Sequence, residues 1–268
     1  MERLNRSETA RLSSGPVKCP HLSYKVQSLS DFFAVIASVI RKEDPFWFRG
    51  HSRADWNLVP MALRYATKAQ RDRALSLISE FKRIAEIKLP RPPQHEEQLK
   101  WVQIARHFGL PTRLLDWTES ATVALFFACE ELGFDGIVFL LNPIDLNRLS
   151  YPTKPHVLDA NLDGHEINRY LNLDAKYRPA GKNPIAINPV WNSERLILQR
   201  GVFTLHGSRF DLSGRRIPSL VALPILKEWK SGLRKELGRI GVDEMTVFPE
   251  LEHSCRHLKR RAKLEFQE

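Results

Sequence analysis

Several signatures of familiar chemistry are missing from this 268-residue chain. It has no G-x-G-x-x-G and no phosphate-loop pattern, which argues against a dinucleotide-binding βαβ unit and a P-loop nucleotide site. It has no H-E-x-x-H and no G-x-S-x-G, which disfavours a zinc hydrolase and a serine nucleophile elbow. His95-Glu96-Glu97 is spaced too tightly to hold a metal by itself, so no metal cofactor is expected. Cysteine is scarce. Cys19, Cys129 and Cys255 are odd in number, far apart, and fit neither a zinc spacing nor a disulfide frame, so a reducing cytoplasm is the expected setting. Long apolar runs are absent too. The longest, residues 121–128, is interrupted only by Thr122 and falls far short of the roughly 18 residues that span a bilayer. No membrane partner is expected, and residues 1–8 lack the apolar core of a secretory signal. There is no internal repeat and no low-complexity tract.

What is present is ordinary in bulk and uneven in charge. Hydrophobic residues make up 43% and charged residues 27%, enough for one sizeable core. Residues 1–24 read as a loose extension rich in Ser, Arg and Pro, and residues 25–268 as one domain. Lysine and arginine number 41 against 31 acidic residues, a net charge of +10, which favours a polyanion or an acidic partner. Part of this excess is local: Arg256, Lys259, Arg260, Arg261 and Lys263 fall on one expected helix. They read either as a solvated face or as a docking surface for nucleic acid or an acidic protein.

Apolar periodicity predicts helices over residues 29–41, 68–89, 95–107, 118–132, 193–198, 228–237 and 249–263. Strands are predicted at 45–50, 114–117, 136–141, 185–187, 202–205 and 220–225. Residues 143–182 are polar, with one weak helix at 166–171, and read as a mobile insertion near a site. Helices dominate the first half and strands the second, which argues for an α+β fold.

The segment from Gln103 to Ala128 is the most informative stretch. Gly109 and Pro111 end one helix and turn the chain. The corner then carries His107, Thr112, Arg113, Asp116, Trp117 and Thr118, more polar chemistry than a bend needs. Asp116 with Glu119 fits a capping box, and Thr118 or Ser120 can cap instead. His107 suits a helix C-terminal dipole partner as well as an acid/base. Trp117 offers a flat face to a nicotinamide or a base. Arg49-Gly50 places a five-donor fork at a strand end beside a residue that permits close approach. That arrangement suits a phosphate, or an internal ion pair with Asp116, or both. Gln199 before Gly201 has similar logic: it can hold a ribose hydroxyl or simply end a helix in water.

Phe48-Arg49-Gly50, His107-x-Gly109-x-Pro111-Thr112-Arg113-Leu-Leu-Asp116-Trp117-Thr118, Ala124-Leu-Phe-Phe-Ala128 and Arg195-x-x-x-Gln199-x-Gly201-x-Phe203 together resemble the FRG-domain family, over about residues 25–255. The motif order is also similar to that of mono-ADP-ribosyltransferases. That resemblance implies helices on a mostly antiparallel, split β-sheet, with NAD as substrate and no metal. Arg49, Asp116 and Gln199 become the catalytic candidates. Arg49, Gly50, His107, Thr112, Arg113, Trp117 and Thr118 become the NAD-binding ones. Gln199 stands where those enzymes place a glutamate, and Glu194 nearby lies on a different helical face. The implied activity is ADP-ribosyl transfer by an intracellular bacterial toxin or phage-defence effector. A nucleic acid, RNA before DNA, is the favoured acceptor, and a neutralising antitoxin protein is a plausible partner. The alternatives are a nuclease and a non-enzymatic nucleic-acid-binding module.

Overall fold

A computed structural model describes residues 22–40, 43–153, 155–171, 183–207, 212, 217 and 219–262. Seven strands form one sheet: β1 (Trp47–His51), β2 (Leu114–Thr118), β3 (Gly136–Leu141), β4 (Leu158–Asp159), β5 (Ile185–Asn188), β6 (Gly201–Leu205) and β7 (Leu220–Ile225). Their order is β4-β5-β6-β2-β1-β3-β7. Every pairing is antiparallel except β4 with β5, so the fold is α+β with a mostly antiparallel sheet.

The sheet is nearly divided at its centre. β1 pairs with β3 along all five of its residues, and β2 with β6 along all five of its own. Between β1 and β2 only Phe48 and Thr118 are partners. Beyond that point the two strands part, and a cleft opens where the ladder would have continued.

Helices fix this division by covering the two halves of one face separately. The first group is α1 (Leu29–Val39) and α4 (Ala121–Ala128), joined by α8 (Lys227–Arg239). They bury Phe32, Val123, Leu125 and Leu233 against Phe48, Val138 and Leu223. The second group is α3 (Gln98–His107) and α6 (Gly164–Leu171), which bring Leu99, Ile167 and Tyr170 onto Leu114, Phe203 and Ile185. On the other face Leu58, Leu146, Leu212 and Ile217 cover Trp47, Trp117 and Phe139. Because both faces are covered, β3 and β6 are buried along their whole length, and no polar alternation marks them.

The long α2 (Lys68–Lys88) starts on a capping box made by Thr67 and Gln70. The shorter α7 (Glu194–Leu198) lines the cleft with Arg195 and Leu196, and α9 (Glu244–Val247) and α10 (Leu251–Arg261) come later in the chain. Among the described residues no helix is long and apolar enough to cross a membrane.

Three sequence expectations change here. The helix expected at 118–132 starts three residues later, because Leu114–Thr118 is strand and Ser120 is the cap, accepting from the Val123 amide at 3.3 Å. Asp116 therefore lies inside a strand and caps nothing. The stretch expected as a mobile insertion contains α5 (Pro143–Arg148), β4 and α6 in its described part. Asn147 pins it to the sheet by exchanging hydrogen bonds with the backbone of Ala186 at 2.6 and 2.9 Å. Residues 172–182 lie outside the described residues. The basic run on α10 is also less free than its charge suggests, since Arg256 pairs with Glu244 and Glu252. Lys263 and the Arg260 side chain lie outside the described residues.

Candidate functional site

The cleft between β1 and β2 encloses about 350 Å³. Arg49 defines it. Strand alternation sends the Arg49 side chain off one face of β1, and sends Asp116 off the opposite face of β2, the face that Phe48 and Thr118 share. Yet Arg49 Nη1 donates to the Asp116 carbonyl at 2.6 Å and lies 3.8 Å from the Asp116 carboxylate. The guanidinium thus occupies the gap between the parted strands. It supplies the donor that a continued ladder would have taken from the Gly50 amide.

Gly50 keeps the gap's other wall tight. A Cβ there would sit 1.8 Å from the Ala124 carbonyl oxygen and 2.6 Å from the Ala128 amide nitrogen, so the close approach is to the backbone of α4. His51, only 3% exposed, accepts from Arg49 Nε at 2.9 Å on its own Nε2. Burial first, and then the charges of Arg49 and Arg64, push its pKa well below the usual histidine value. A neutral imidazole that accepts a guanidinium proton fixes the orientation of Arg49. Burial pulls the Arg49 pKa down to about 10, partly countered by Asp116.

Asp116 is held from the other side by Arg106, in the last turn of α3. The pair is bidentate: Nε donates to Oδ1 at 2.5 Å and Nη2 to Oδ2. Burial alone would raise the Asp116 pKa, but Arg106, then Arg49 and Arg195, outweigh it and hold the carboxyl below its ordinary range. Burial also pulls Arg106 down, and Asp116 more than reverses that. Asp116 still turns 46% of its side-chain surface to the cleft.

Arg195, from α7, lines the same space, with Glu250 at 3.6 Å and the Phe248 ring beneath it at 4.8 Å. Arg64 stands close enough for its charge to act on His51 and for those of Arg106 and Asp116 to act on it. Arg49 and Arg106 therefore contact Asp116 directly, Arg195 lines the same space and acts on it by charge, and Arg64 stands outside the lining. Glu130 is the other carboxylate lining the cleft. Among the described residues no side chain hydrogen-bonds or ion-pairs with it. Glu130 is exposed at the cleft mouth, yet the protein packed around its carboxyl raises its pKa; Arg234 opposes this, while Glu244 and Glu131 add to the rise. Even with Glu130 ionised, positive charge is in excess. The remaining walls mix aromatic and apolar surface, Trp56 (44% exposed), Phe127 and Met61 among it, with the polar side chains of Ser52, Gln103, Asn192, Ser193 and Gln199.

The other sequence candidates distribute as follows. Trp117 and Thr118 line the cleft, but both are buried. The Trp117 indole donates to Thr204 Oγ1 at 3.0 Å, and the Thr118 hydroxyl to the Gln199 carbonyl at 2.6 Å. Gln199 is the C-cap of α7, at the helix end before β6, and its side-chain amide donates to the Val247 carbonyl at 3.1 Å. The turn after it is made by Arg200, at φ 45, not by Gly201. A Cβ on Gly201 would lie 2.3 Å from Leu196 Cδ1, so its absence gives that side chain room. His107 is exposed at the rim, beside Phe108. Thr112 and Arg113 lie apart from the cleft. Thr112 is buried and accepts from the Leu114 amide at 3.3 Å, and Arg113 donates to the carbonyls of His206 and Tyr170. Glu194 is exposed and outside the lining.

Arg106, His51 and Glu130 were not singled out from the sequence. Arg106 carried a weak signal, since it lies one turn before the Gly109 corner and the turn folds it back over β2.

No curated protein and no solved structure matches the chain. Residues 44–133 match the FRG domain. The match takes in β1, β2, α3 and α4, and hence Arg49, Arg106, Asp116 and Glu130, while Arg195 and Gln199 lie beyond it. With its Phe48-Arg49-Gly50 strand set against the Asp116 strand at the head of this cleft, the chain carries an FRG domain at residues 44–133.

Proposed function

We propose that the cleft binds NAD and transfers its ADP-ribosyl group to a nucleic-acid acceptor, RNA before DNA. One observation carries the reading: an excess of guanidinium charge, led by Arg49 between two parted strands, in a pocket that also offers aromatic surface. A dinucleotide offers the complement, a diphosphate for the arginines and flat rings for Trp56 and Phe127. Breaking the bond between ribose C1′ and the nicotinamide nitrogen sends the electron pair to nicotinamide and leaves an oxocarbenium-like centre. An acceptor oxygen or nitrogen then bonds to C1′ and gives up its proton.

That chemistry needs a carboxylate that is not already engaged. Asp116 is bound through both oxygens by Arg106, so its role is to place Arg49 and Arg106. Glu130 is free, and its raised pKa suits a base that takes the acceptor's proton. Gln199 gives the ribose an amide to pair with, not a charge. The net charge of +10 supports a polyanionic acceptor. The setting, an intracellular toxin or phage-defence effector with a neutralising partner, follows from the family resemblance alone.

The Arg106–Asp116 lock favours a second reading, a module that binds a nucleotide or nucleic acid without reacting. Incubation with NAD labelled in the adenylate half, plus RNA or DNA and with and without chelator, separates the readings. Labelled nucleic acid and free nicotinamide, both unaffected by chelator and both absent with Glu130→Gln, are the expected outcome. Bound but intact NAD would leave the binding module. Chelator-sensitive cleavage of the nucleic acid without label would mean a nuclease.

A further inference from the structure

A second cavity, of about 340 Å³, lies between α2, α3 and α6, outside the cleft. Its wall includes Arg113, 7% exposed. The guanidinium donates to the carbonyl oxygens of His206 and Tyr170, and among the described residues no carboxylate pairs with it. Burial by itself lowers its pKa to about 10. A guanidinium taken out of water and answered only by carbonyl dipoles is costly, and an anion reduces that cost.

Lys82 faces the same cavity from α2. Its Nζ donates to Gln98 Oε1 at 2.6 Å and lies 5.8 Å from the Trp101 ring. Burial lowers its pKa, and the one carboxylate opposing that is Glu86, which is exposed and outside the lining. Ser79, Thr112 and Asn168 add neutral hydrogen-bonding groups, while Leu75, Ile78 and Val102 add apolar surface. Among the described residues no acidic side chain lines the cavity. Two cations, hydroxyls and an apolar wall fit a small organic phosphate: the phosphate between Lys82 and Arg113, the body against α2 and α3. The volume lies at the small end of ligand pockets, near that of a mononucleotide.

We propose that this cavity is a binding site for a small phosphate monoester, separate from the cleft. The proposal does not depend on NAD chemistry, because the cavity shares no lining residue with the cleft. Arg113 ties three segments together and its removal endangers the fold, so the test uses Lys82→Gln and Ser79→Trp, which leave those bonds intact. Adenosine monophosphate is titrated into full-length, isotope-labelled protein and followed by amide chemical shifts. Shifts at residues 79–82 and 112–113 are expected, with affinity falling roughly tenfold or more in Lys82→Gln, which loses one charge-assisted contact, and in Ser79→Trp, whose indole fills the cavity. Arg49→Ala is expected to leave that binding within about twofold. Shifts confined to the cleft, unchanged affinity in both variants, or no binding at millimolar ligand would each overturn the proposal.

Discussion

Asp116 has one strand position and two cationic neighbours, and its behaviour follows from both. Replacing Arg106 with Gln leaves the carboxylate with only the 3.8 Å contact to Arg49. Breaking a fully buried pair costs about 3–5 kcal/mol. With 46% of the Asp116 side chain open to the cleft, a loss of about 1–3 kcal/mol in urea unfolding is expected. His51 adds a pH dependence. Its folded pKa is depressed, so the stability it contributes is complete above the unfolded value of about 6.5 and is lost as pH falls below it. Stability of the wild type is expected to drop from pH 7 to 5, and His51→Gln to flatten that slope; equal slopes would remove His51 from the cause. In the proposed mechanism Glu130 is the base. If it takes the acceptor's proton as proposed, its raised pKa means that the rate of ADP-ribosyl transfer should rise with pH above the ordinary carboxylate range, which a pH–rate profile measures.

Among the elements, β1 and α4 are the most constrained pair. Gly50→Ala drives a methyl into the backbone of α4, which cannot yield as a side chain can, and is expected to cost more than about 3 kcal/mol. Gly109→Ala meets nothing within 4 Å and is strained only by its φ of +86, so about 1–2 kcal/mol is expected. Chemical denaturation of the two variants measures the contrast directly, and equal losses would mean that α4 does not press on β1. The Gly109 turn was legible in the sequence because a helix end followed by Gly and Pro has one common local solution. The start of α4 was not. Thr118, Glu119 and Ser120 are all compatible with a first turn, and the partner that claims Thr118 for the sheet is Gly201, far along the chain. Arg200 was missed for a related reason: Gly201 looked like the turn residue, but its missing side chain serves Leu196 instead.

At the scale of the whole molecule, the strand order could not be read from spacing, because β2 is inserted between β1 and β6 by long-range pairing. The pieces of the site were legible singly. Arg49 and Asp116 stood out because a charged residue in an otherwise apolar strand needs a reason. Arg106 and Glu130 did not, since a basic residue at a helix end and an acidic one after a helix are common in water. What brings them together is the division of the sheet, with helices banked on either side of it. The cleft is therefore a property of the fold, and Arg49 reaches directly across the gap to Asp116. Equilibrium titration of NAD into the wild type and into Arg49→Ala, both shown to be folded by circular dichroism, tests this most directly. Saturable one-to-one binding by the wild type, weakened roughly a hundredfold or more in Arg49→Ala, is the expected result, the loss of a buried guanidinium–diphosphate contact. Equal affinity in the two proteins, or no NAD binding by the wild type, would contradict it.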